Sequence, residues 1–276
     1  MSESTKPTII LYTFARPPKS PSKSSYCQKL EAFLKLTSTP YEQRPTLPYN
    51  APKGKLPYVE IYHPPTNPNP KVMADSHFII HHLIAEGISG DVNQLAGLTK
   101  VQKAESRAWQ AYVEETLSPS MVYERWCDDK NFATFMAEEF SSIPWLIRPA
   151  VGWYVRRVSK NGLWGQGIGR HSMEEVKILQ EEAVEVLEAR LEGRVYFHGD
   201  EKPSEIDLIL YGSLVSAVAT EANPQLKELI LKSPILVTFV KRLTKSLFPE
   251  YDDLLLLLES AEGKLGPNNI GVAVKD

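Results

Sequence analysis

The sequence predicts an α+β N-terminal domain followed by an all-α C-terminal domain. Over roughly the first 85 residues, short β-rich apolar runs alternate with helical patterns, which is typical of a unit with one mixed sheet. From Thr99 onward the chain changes to long amphipathic segments with few strand signals. We therefore expect a boundary between Gly90 and Leu98, giving domains of residues 1–92 and 93–276.

The N-terminal domain is predicted in the thioredoxin-like order of strand, helix, strand, strand pair and helix. The strands are expected at residues 8–14, 41–44, 58–62 and 71–74, with residues 64–70 as the hairpin loop of the last pair. The first helix is predicted to begin near Ser25, with Ser24 or Ser25 as its N-cap. The second helix follows Asp75 or Ser76 and ends near Gly87.

The C-terminal domain is predicted to be helical throughout. Helices are expected at residues 100–128, 132–159, 172–191, 204–220, 224–231 and 234–247. The second of these is expected to be interrupted at Pro144 and Pro149. Ser204 stands three residues before Asp207 and ahead of an apolar run, which indicates a structural capping box.

The composition excludes several classes of protein. The 276 residues are 42% hydrophobic with a formal net charge of −3, so no nucleic-acid partner is expected. The two cysteines, Cys27 and Cys127, are too few for a disulfide scaffold and indicate a reducing, cytoplasmic compartment. The N-terminus has no apolar run, and the longest uncharged stretch is shorter than the ~20 residues of a bilayer span, so no membrane anchor is expected.

The segment Ser24-Ser25-Tyr26-Cys27 lies where the first loop meets the first helix. Free backbone N–H groups and the helix dipole favour an anionic sulfur there. Thioredoxin-like redox proteins carry C-x-x-C at this turn, but here the first position is Ser24, so dithiol exchange is not expected. A serine hydroxyl can instead donate a hydrogen bond to the thiolate of a cosubstrate. Alternatively, serine only caps the helix and Cys27 is a small core residue.

Two later loops carry further candidate site residues. Leu56-Pro57 precedes the third strand, where a cis proline exposes backbone that pairs with an extended peptide. Asp75-Ser76 suits an α-amino acid, because Asp75 can hold an ammonium group while Ser76 and the helix N-terminus hold a carboxylate. An ordinary loop proline and simple helix capping are the alternative interpretations.

Three histidines and a group of aromatic residues complete the candidates. His77 and His81 have the i, i+4 spacing of metal ligands, and His82 adjoins them. No glutamate follows in the H-E-x-x-H pattern, so we expect no metal. Aromatic residues crowd the first half of the C-terminal domain, where Tyr123 and Trp126 are candidates for an apolar substrate cleft; core packing is the alternative.

Five segments carry a resemblance to a known family: SPSKSSYCQKLEAFLKL, GKLPYVE, ADSHFIIHHL, GQGIGRHSMEEV and VKRLTKSLFPEYD. In this order they resemble the glutathione transferase superfamily and, more particularly, its failed-axon-connections and metaxin-like branch. GKLPYVE and ADS occur across the superfamily, whereas GQGIGRHS after a tryptophan-rich helix is more specific. The resemblance extends from about Ile9 to Tyr251.

The resemblance implies the glutathione transferase fold and a glutathione site in the N-terminal domain. Leu56 with cis Pro57 would pair with the cysteinyl backbone of glutathione. Asp75 with Ser76 would bind its γ-glutamyl end.

The resemblance also places Ser24 at the position that activates the thiol. The family usually has Ser-Pro-Phe-Cys there, whereas Ser25 and Tyr26 replace the proline and the phenylalanine in this chain. Ser24, Ser25 and Tyr26 therefore all stay candidates for the activating hydroxyl.

The leading hypothesis is a cytoplasmic transferase that uses glutathione as cosubstrate and attaches it to a small apolar electrophile near Tyr123 and Trp126. The superfamily implies a homodimer, and the expected absence of a C-terminal anchor indicates a soluble branch rather than the anchored metaxins. One alternative is a non-catalytic interaction or ligand-carrying protein that retains the fold. Another is a Cys27-dependent thiol transferase.

Overall fold

The N-terminal domain contains a mixed four-stranded sheet. The computed structural model describes residues 7–63, 67–141 and 143–265. The strands are β1 (Thr8–Thr13), β2 (Glu42–Pro45), β3 (Tyr58–His63) and β4 (Asn67–Ala74). They lie in the order β2-β1-β3-β4, with β1 and β2 parallel and the other pairs antiparallel. The predicted α+β class of this domain is confirmed.

Strand β4 begins earlier than the sequence predicts. Residues 67–70 belong to it, although we expected them in the hairpin loop, and residues 64–66 of that loop lie outside the described part of the chain. Residues 67–70 include Pro68 and Pro70, and proline is a residue type more typical of loops than of strands. Since β4 is an edge strand, a missing N–H need not break a ladder hydrogen bond.

Two helices pack on the sheet and begin at the predicted caps. Helix α1 (Ser25–Leu36) follows Ser24, whose Oγ accepts a hydrogen bond from the Cys27 N–H at 3.5 Å. Helix α2 (Ser76–Ala85) follows Asp75, whose carboxylate accepts from the His77 N–H at 3.0 Å. Both side chains satisfy backbone donors that the first helical turn leaves free.

The rest of the described chain is helical. The helices are α3 (Val92–Leu95), α4 (Lys100–Tyr112), α5 (Ser118–Cys127), α6 (Asp129–Glu139), α7 (Arg148–Gln166), α8 (Met173–Leu191), α9 (Glu205–Val218), α10 (Pro224–Lys232), α11 (Pro234–Leu247) and α12 (Asp252–Leu265). A π-helical turn, Val113–Leu117, joins α4 to α5. Among the described residues, no helix is long and apolar enough to cross a membrane.

The predicted interruption at Pro149 was wrong. Pro144 does lie between α6 and α7, but Pro149 lies in the first turn of α7, where a proline costs no helical hydrogen bond. The predicted capping box was correct: Ser204 and Asp207 cap α9. The buried Asp207 carboxylate accepts from the N–H groups of Ser204 and Phe197, each at 2.7 Å.

One hydrophobic core runs through both domains. It joins side chains of the sheet and α1, such as Leu11 and Leu30, to side chains of α9, such as Leu210 and Leu214. Every residue of α9 is buried. The close approach of α9 to α1 depends on Gly212, because a Cβ there would lie 2.6 Å from the Ser25 carbonyl oxygen and 3.0 Å from the Lys29 nitrogen.

We expect Gly212→Ala to lower the free energy of unfolding by about 1–3 kcal/mol, because a methyl group would force α1 and α9 apart. Gly162→Ala is the matched control. Gly162 also lies in a helix, but a Cβ there would meet no atom within 4 Å, so alanine should stabilise by about 0.5–1 kcal/mol. Urea unfolding measures both changes, and equal stability of the two variants would contradict the close contact.

Candidate functional site

Three segments of the N-terminal domain meet around a small buried cluster. The cluster contains Cys27 from α1, Leu56 from the loop before β3, and Ala74 at the end of β4, together with Ala51 and Tyr58. Each of the first three residues lies within three positions of a predicted site residue. The turn at Ser24, the Leu56-Pro57 loop and the Asp75-Ser76 corner are therefore brought together, and we call this arrangement the three-corner site.

The first corner has one hydroxyl in a favourable position. Ser24 is half-buried; its Oγ accepts from the Cys27 N–H, and its side chain also hydrogen-bonds the Cys27 thiol, so a ligand sulfur would compete with Cys27 for the Ser24 proton. Ser25 is buried and its Oγ has no hydrogen-bond partner among the described residues. Tyr26 donates to the Glu114 carbonyl at 3.4 Å, and burial, with Glu114, Glu115 and Asp75 nearby, raises its pKa.

The helical domain holds the loop that carries Ser24. The buried guanidinium of Arg125 in α5 donates to the Lys23 carbonyl at 2.9 Å, and Ser216 in α9 donates to the Ser22 carbonyl at 2.9 Å. Lys23 also forms ion pairs with Glu138 and Glu139 of α6. The position of the hydroxyl thus depends on both domains.

Cys27 is a core residue. Its side chain is fully buried, and burial raises the pKa of the thiol to about 11. A thiolate at neutral pH is therefore rare, and no reagent reaches the sulfur directly. These properties favour the alternative interpretation of Cys27 as a small core residue over the thiol transferase alternative, and its place among the catalytic candidates stays a prediction.

The second and third corners contact each other through the backbone. The Leu56–Pro57 peptide bond is cis, and the Pro57 carbonyl accepts from the Asp75 N–H at 3.4 Å. Asp75 is exposed and has a φ of +86°, a strained conformation for a residue with a side chain that is found preferentially at functional sites. Ser76 is buried at the start of α2.

Charged residues surround these corners; of these, Lys29 is expected from its place in the first helix, whereas Lys53 is not predicted from the sequence. Lys29 is buried and pairs with Glu114 at 2.9 Å. Lys53, in the loop before Leu56, lies with its ammonium 4.9 Å from the centre of the Phe78 ring on α2. The lysines of KGKLP stand directly before Leu56 in the sequence, and this proximity was the available signal for a cation at the site.

The two predicted substrate residues are not part of an open cleft in this structure. Tyr123 is buried, and its hydroxyl donates to the His171 carbonyl at 2.8 Å. Trp126 is half-buried against Phe132 and Phe135. Their role in binding a substrate stays a prediction, and the core packing of Tyr123 follows the alternative interpretation.

Two clefts differ in size and in their distance from the three-corner site. The crevice between the domains beside the three-corner site is too narrow for a water molecule; it is lined by Ser25, Tyr26, Lys29, Glu114, Ser118, Ile209 and Ser213. A cavity of about 260 Å³ lies between α8 and α10, and no residue of the three corners lines it.

Comparison with known families agrees with this architecture. Residues 25–131 match the family model of the glutathione S-transferase N-terminal domain, and residues 180–243 match that of the glutathione S-transferase C-terminal domain. The rice glutathione transferase GST1, solved in complex with glutathione, aligns over 95% of this chain and 99% of its own with a TM-score of 0.55; at 13% identity, this likeness concerns the fold.

Three curated relatives refine the comparison. Failed axon connections of Drosophila melanogaster is 26% identical over 267 residues, which cover 92% of this chain and 61% of that protein. Human metaxin-2 is 25% identical over 80% of this chain and 81% of its own length. Isoprene-epoxide–glutathione S-transferase of Rhodococcus sp. (strain AD45) is 28% identical over 82% of this chain and 93% of its own.

The chain belongs to the glutathione transferase superfamily, in the branch of the failed-axon-connections and metaxin proteins. The glutathione transferase fold, with its thioredoxin-like first domain and helical second domain, is thereby confirmed.

We expect the Cys27 thiol to resist modification in the folded protein. At about pH 7.5, a pKa of about 11 leaves roughly one thiol in a few thousand ionised. Cys127 is only half-buried and should react first with Ellman's reagent. Cys127→Ser should therefore show no rapid phase until denaturant is added. Fast labelling of that variant under native conditions would overturn the assignment of Cys27 to the core.

Proposed function

We propose that the protein binds glutathione at the three-corner site and that the Ser24 hydroxyl holds the glutathione thiolate for attack on a small apolar electrophile. The observation that carries this proposal is the convergence of the three corners on the cluster of Cys27, Leu56 and Ala74. Support also comes from the Rhodococcus relative, whose name describes a glutathione transferase acting on an epoxide.

Each corner has a role in this proposal. The backbone of Leu56 pairs with the cysteinyl unit of glutathione. The exposed carboxylate of Asp75 attracts the γ-glutamyl ammonium group, while the start of α2 at Ser76 offers N–H groups to the adjacent carboxylate. The Ser24 hydroxyl then points its proton to the sulfur at the start of α1.

The energetic demand on the first corner is modest. A thiol with a reference pKa near 8.5 becomes mostly thiolate at pH 7 when its pKa falls to about 6.5, which requires about 2.7 kcal/mol. One hydrogen bond to a charged group and the N-terminal dipole of α1 together supply an energy of this size. The thiolate forms an S–C bond as the leaving group departs, or as an epoxide C–O bond opens and the oxygen takes a proton from solvent.

Ser24→Ala should reduce the bound thiolate, seen by ultraviolet absorbance, and lower kcat for a chloroarene or epoxide by about 100-fold, because one donor to the developing charge is lost. Loss of the cap also costs about 1 kcal/mol of stability. Ser24→Thr keeps both the helix cap and the hydroxyl and should therefore keep the activity. Ser24→Asp keeps the cap but has no hydroxyl and should be as inactive as Ser24→Ala.

Ser25→Ala is the matched neighbour, since its hydroxyl is buried beside the helical domain. It should leave glutathione binding by calorimetry unchanged. An inactive wild type that binds no glutathione would sink the proposal, and equal effects of Ser24→Ala and Ser25→Ala would remove Ser24 from the mechanism. The homodimer and the cytoplasmic location stay predictions.

A second candidate function is a non-catalytic interaction role through helix α7. Seven large apolar side chains in and before this helix are each at least 53% exposed: Trp145, Leu146, Ile147, Trp153, Tyr154, Val158 and Trp164. Trp153, Arg157, Lys160 and Trp164 follow the i, i+4, i+7, i+11 spacing of one helical face. No Asp or Glu occurs between Phe140 and Glu174.

This combination of tryptophan and cations is typical of helices that lie on an anionic lipid surface. The net charge of the whole chain conceals this local excess of cations. In this function the protein retains the fold and docks on the lipid surface through α7.

If α7 has this role, the protein should sediment with vesicles that contain phosphatidylserine but not with pure phosphatidylcholine vesicles, and added salt should weaken binding. The double variant Trp153→Ala/Arg157→Ala should lose most of the binding to phosphatidylserine vesicles. Val101→Ala/Lys103→Ala, on the exposed face of α4, is the matched control. Equal sedimentation of wild type and the α7 variant would exclude this surface.

A further inference from the structure

We propose that His77, His81 and Glu205 form a binding site for a divalent transition-metal ion, with zinc as the best match, at the junction of the two domains. This proposal is independent of glutathione binding. No sequence pattern pairs the histidines with Glu205, because 128 positions separate His77 from Glu205. The fold brings the start of α9 beside the start of α2.

The three side chains are close enough to share one ion. Their candidate ligand atoms all lie within 4.8 Å of one another. His77 Nδ1 is 4.0 Å from Glu205 Oε1, and the two imidazole rings have centroids 4.4 Å apart. Ligands at about 2.0–2.2 Å from a tetrahedral zinc are roughly 3.4 Å apart. A movement of about 1 Å closes the site, and His81 is exposed and has room to turn.

The Glu205 carboxylate is oriented by a hydrogen bond to one of its oxygens, and the other oxygen is free to bind an ion. Glu205 Oε2 accepts from the Asn93 side-chain amide at 3.2 Å, and the Glu205 N–H donates to Asn93 Oδ1 at 3.0 Å. Glu205 Oε1 is buried and has no hydrogen-bond partner among the described residues. A buried carboxylate oxygen without a partner is costly, and a cation at His77 would satisfy it.

Other side chains near His77 also affect metal binding. Gln110 Nε2 lies 3.4 Å from His77 Nδ1, so Gln110 would have to release this nitrogen when a metal binds there. Lys29 is compensated by Glu114, which leaves Arg107 as the opposing charge near His77.

The donor set determines the class of ion. Two imidazole nitrogens and one carboxylate oxygen suit zinc and its neighbours in the first transition row better than calcium or magnesium, which prefer oxygen ligands. Three protein ligands leave a fourth position for water. Because the ligands come from α2 and α9, the ion would also tie the two domains together.

The test is a zinc titration of the untagged, full-length protein by calorimetry, with cobalt absorption as a report on tetrahedral geometry. We expect one equivalent to bind and zinc to raise the Tm of the wild type. Glu205→Gln, which keeps the volume and the Asn93 contact, should weaken binding at least tenfold. His81→Ala changes an exposed residue and should do the same without unfolding the chain.

His171→Ala is the matched control, because His171 also faces a carboxylate one turn away, Glu175, but has no third candidate ligand among the residues that the structure describes. It should bind zinc as the wild type does. If Glu205→Gln bound zinc with wild-type affinity, the histidines alone would account for the binding, and the three-ligand site would be overturned. No saturable binding to the wild type would overturn it as well.

Discussion

The close packing of α1 against α9 is the contact on which the rest of the structure depends. It exists because Gly212 has no side chain where the backbone of α1 passes, from the Ser25 carbonyl to the Lys29 nitrogen. A buried helix of small and branched residues can then act as the shared core of both domains. Ser216, one turn beyond Gly212, holds the Ser22 carbonyl, so the same contact sets the loop that carries Ser24.

The start of α9 is fixed as firmly as its middle. Asp207 gathers the N–H groups of Ser204 and Phe197 inside the core, and burial raises its pKa, so the charge is tolerated only because these donors surround it. The Asn93 side chain then forms two hydrogen bonds with Glu205, one to its carboxylate and one to its N–H group. A capping box that the sequence predicts as purely structural therefore also determines where the Glu205 carboxylate lies.

Local rules predicted the parts of the site that depend on near neighbours in the chain. The caps Ser24 and Asp75 and the turn at Leu56-Pro57 follow from the residue types beside them, and the structure places them as expected. The local rules could not show contacts between residues that are distant in the chain. The Tyr123 hydroxyl donates to the His171 carbonyl, and the acid beside His77 comes from α9. Only the tertiary packing reveals such pairs.

The arrangement of sulfur and oxygen at the start of α1 limits the chemistry of the three-corner site. Cys27 is buried against Leu56 and Ala74, and burial raises the pKa of its thiol. In the proposed function, the reactive sulfur of this site therefore comes with the ligand, and Ser24 is the candidate group to bind it. Asp75 is held by the His77 N–H, while the ring of that same residue faces Glu205. His77 thus links Asp75 to Glu205, and through this residue the two proposed sites would affect each other.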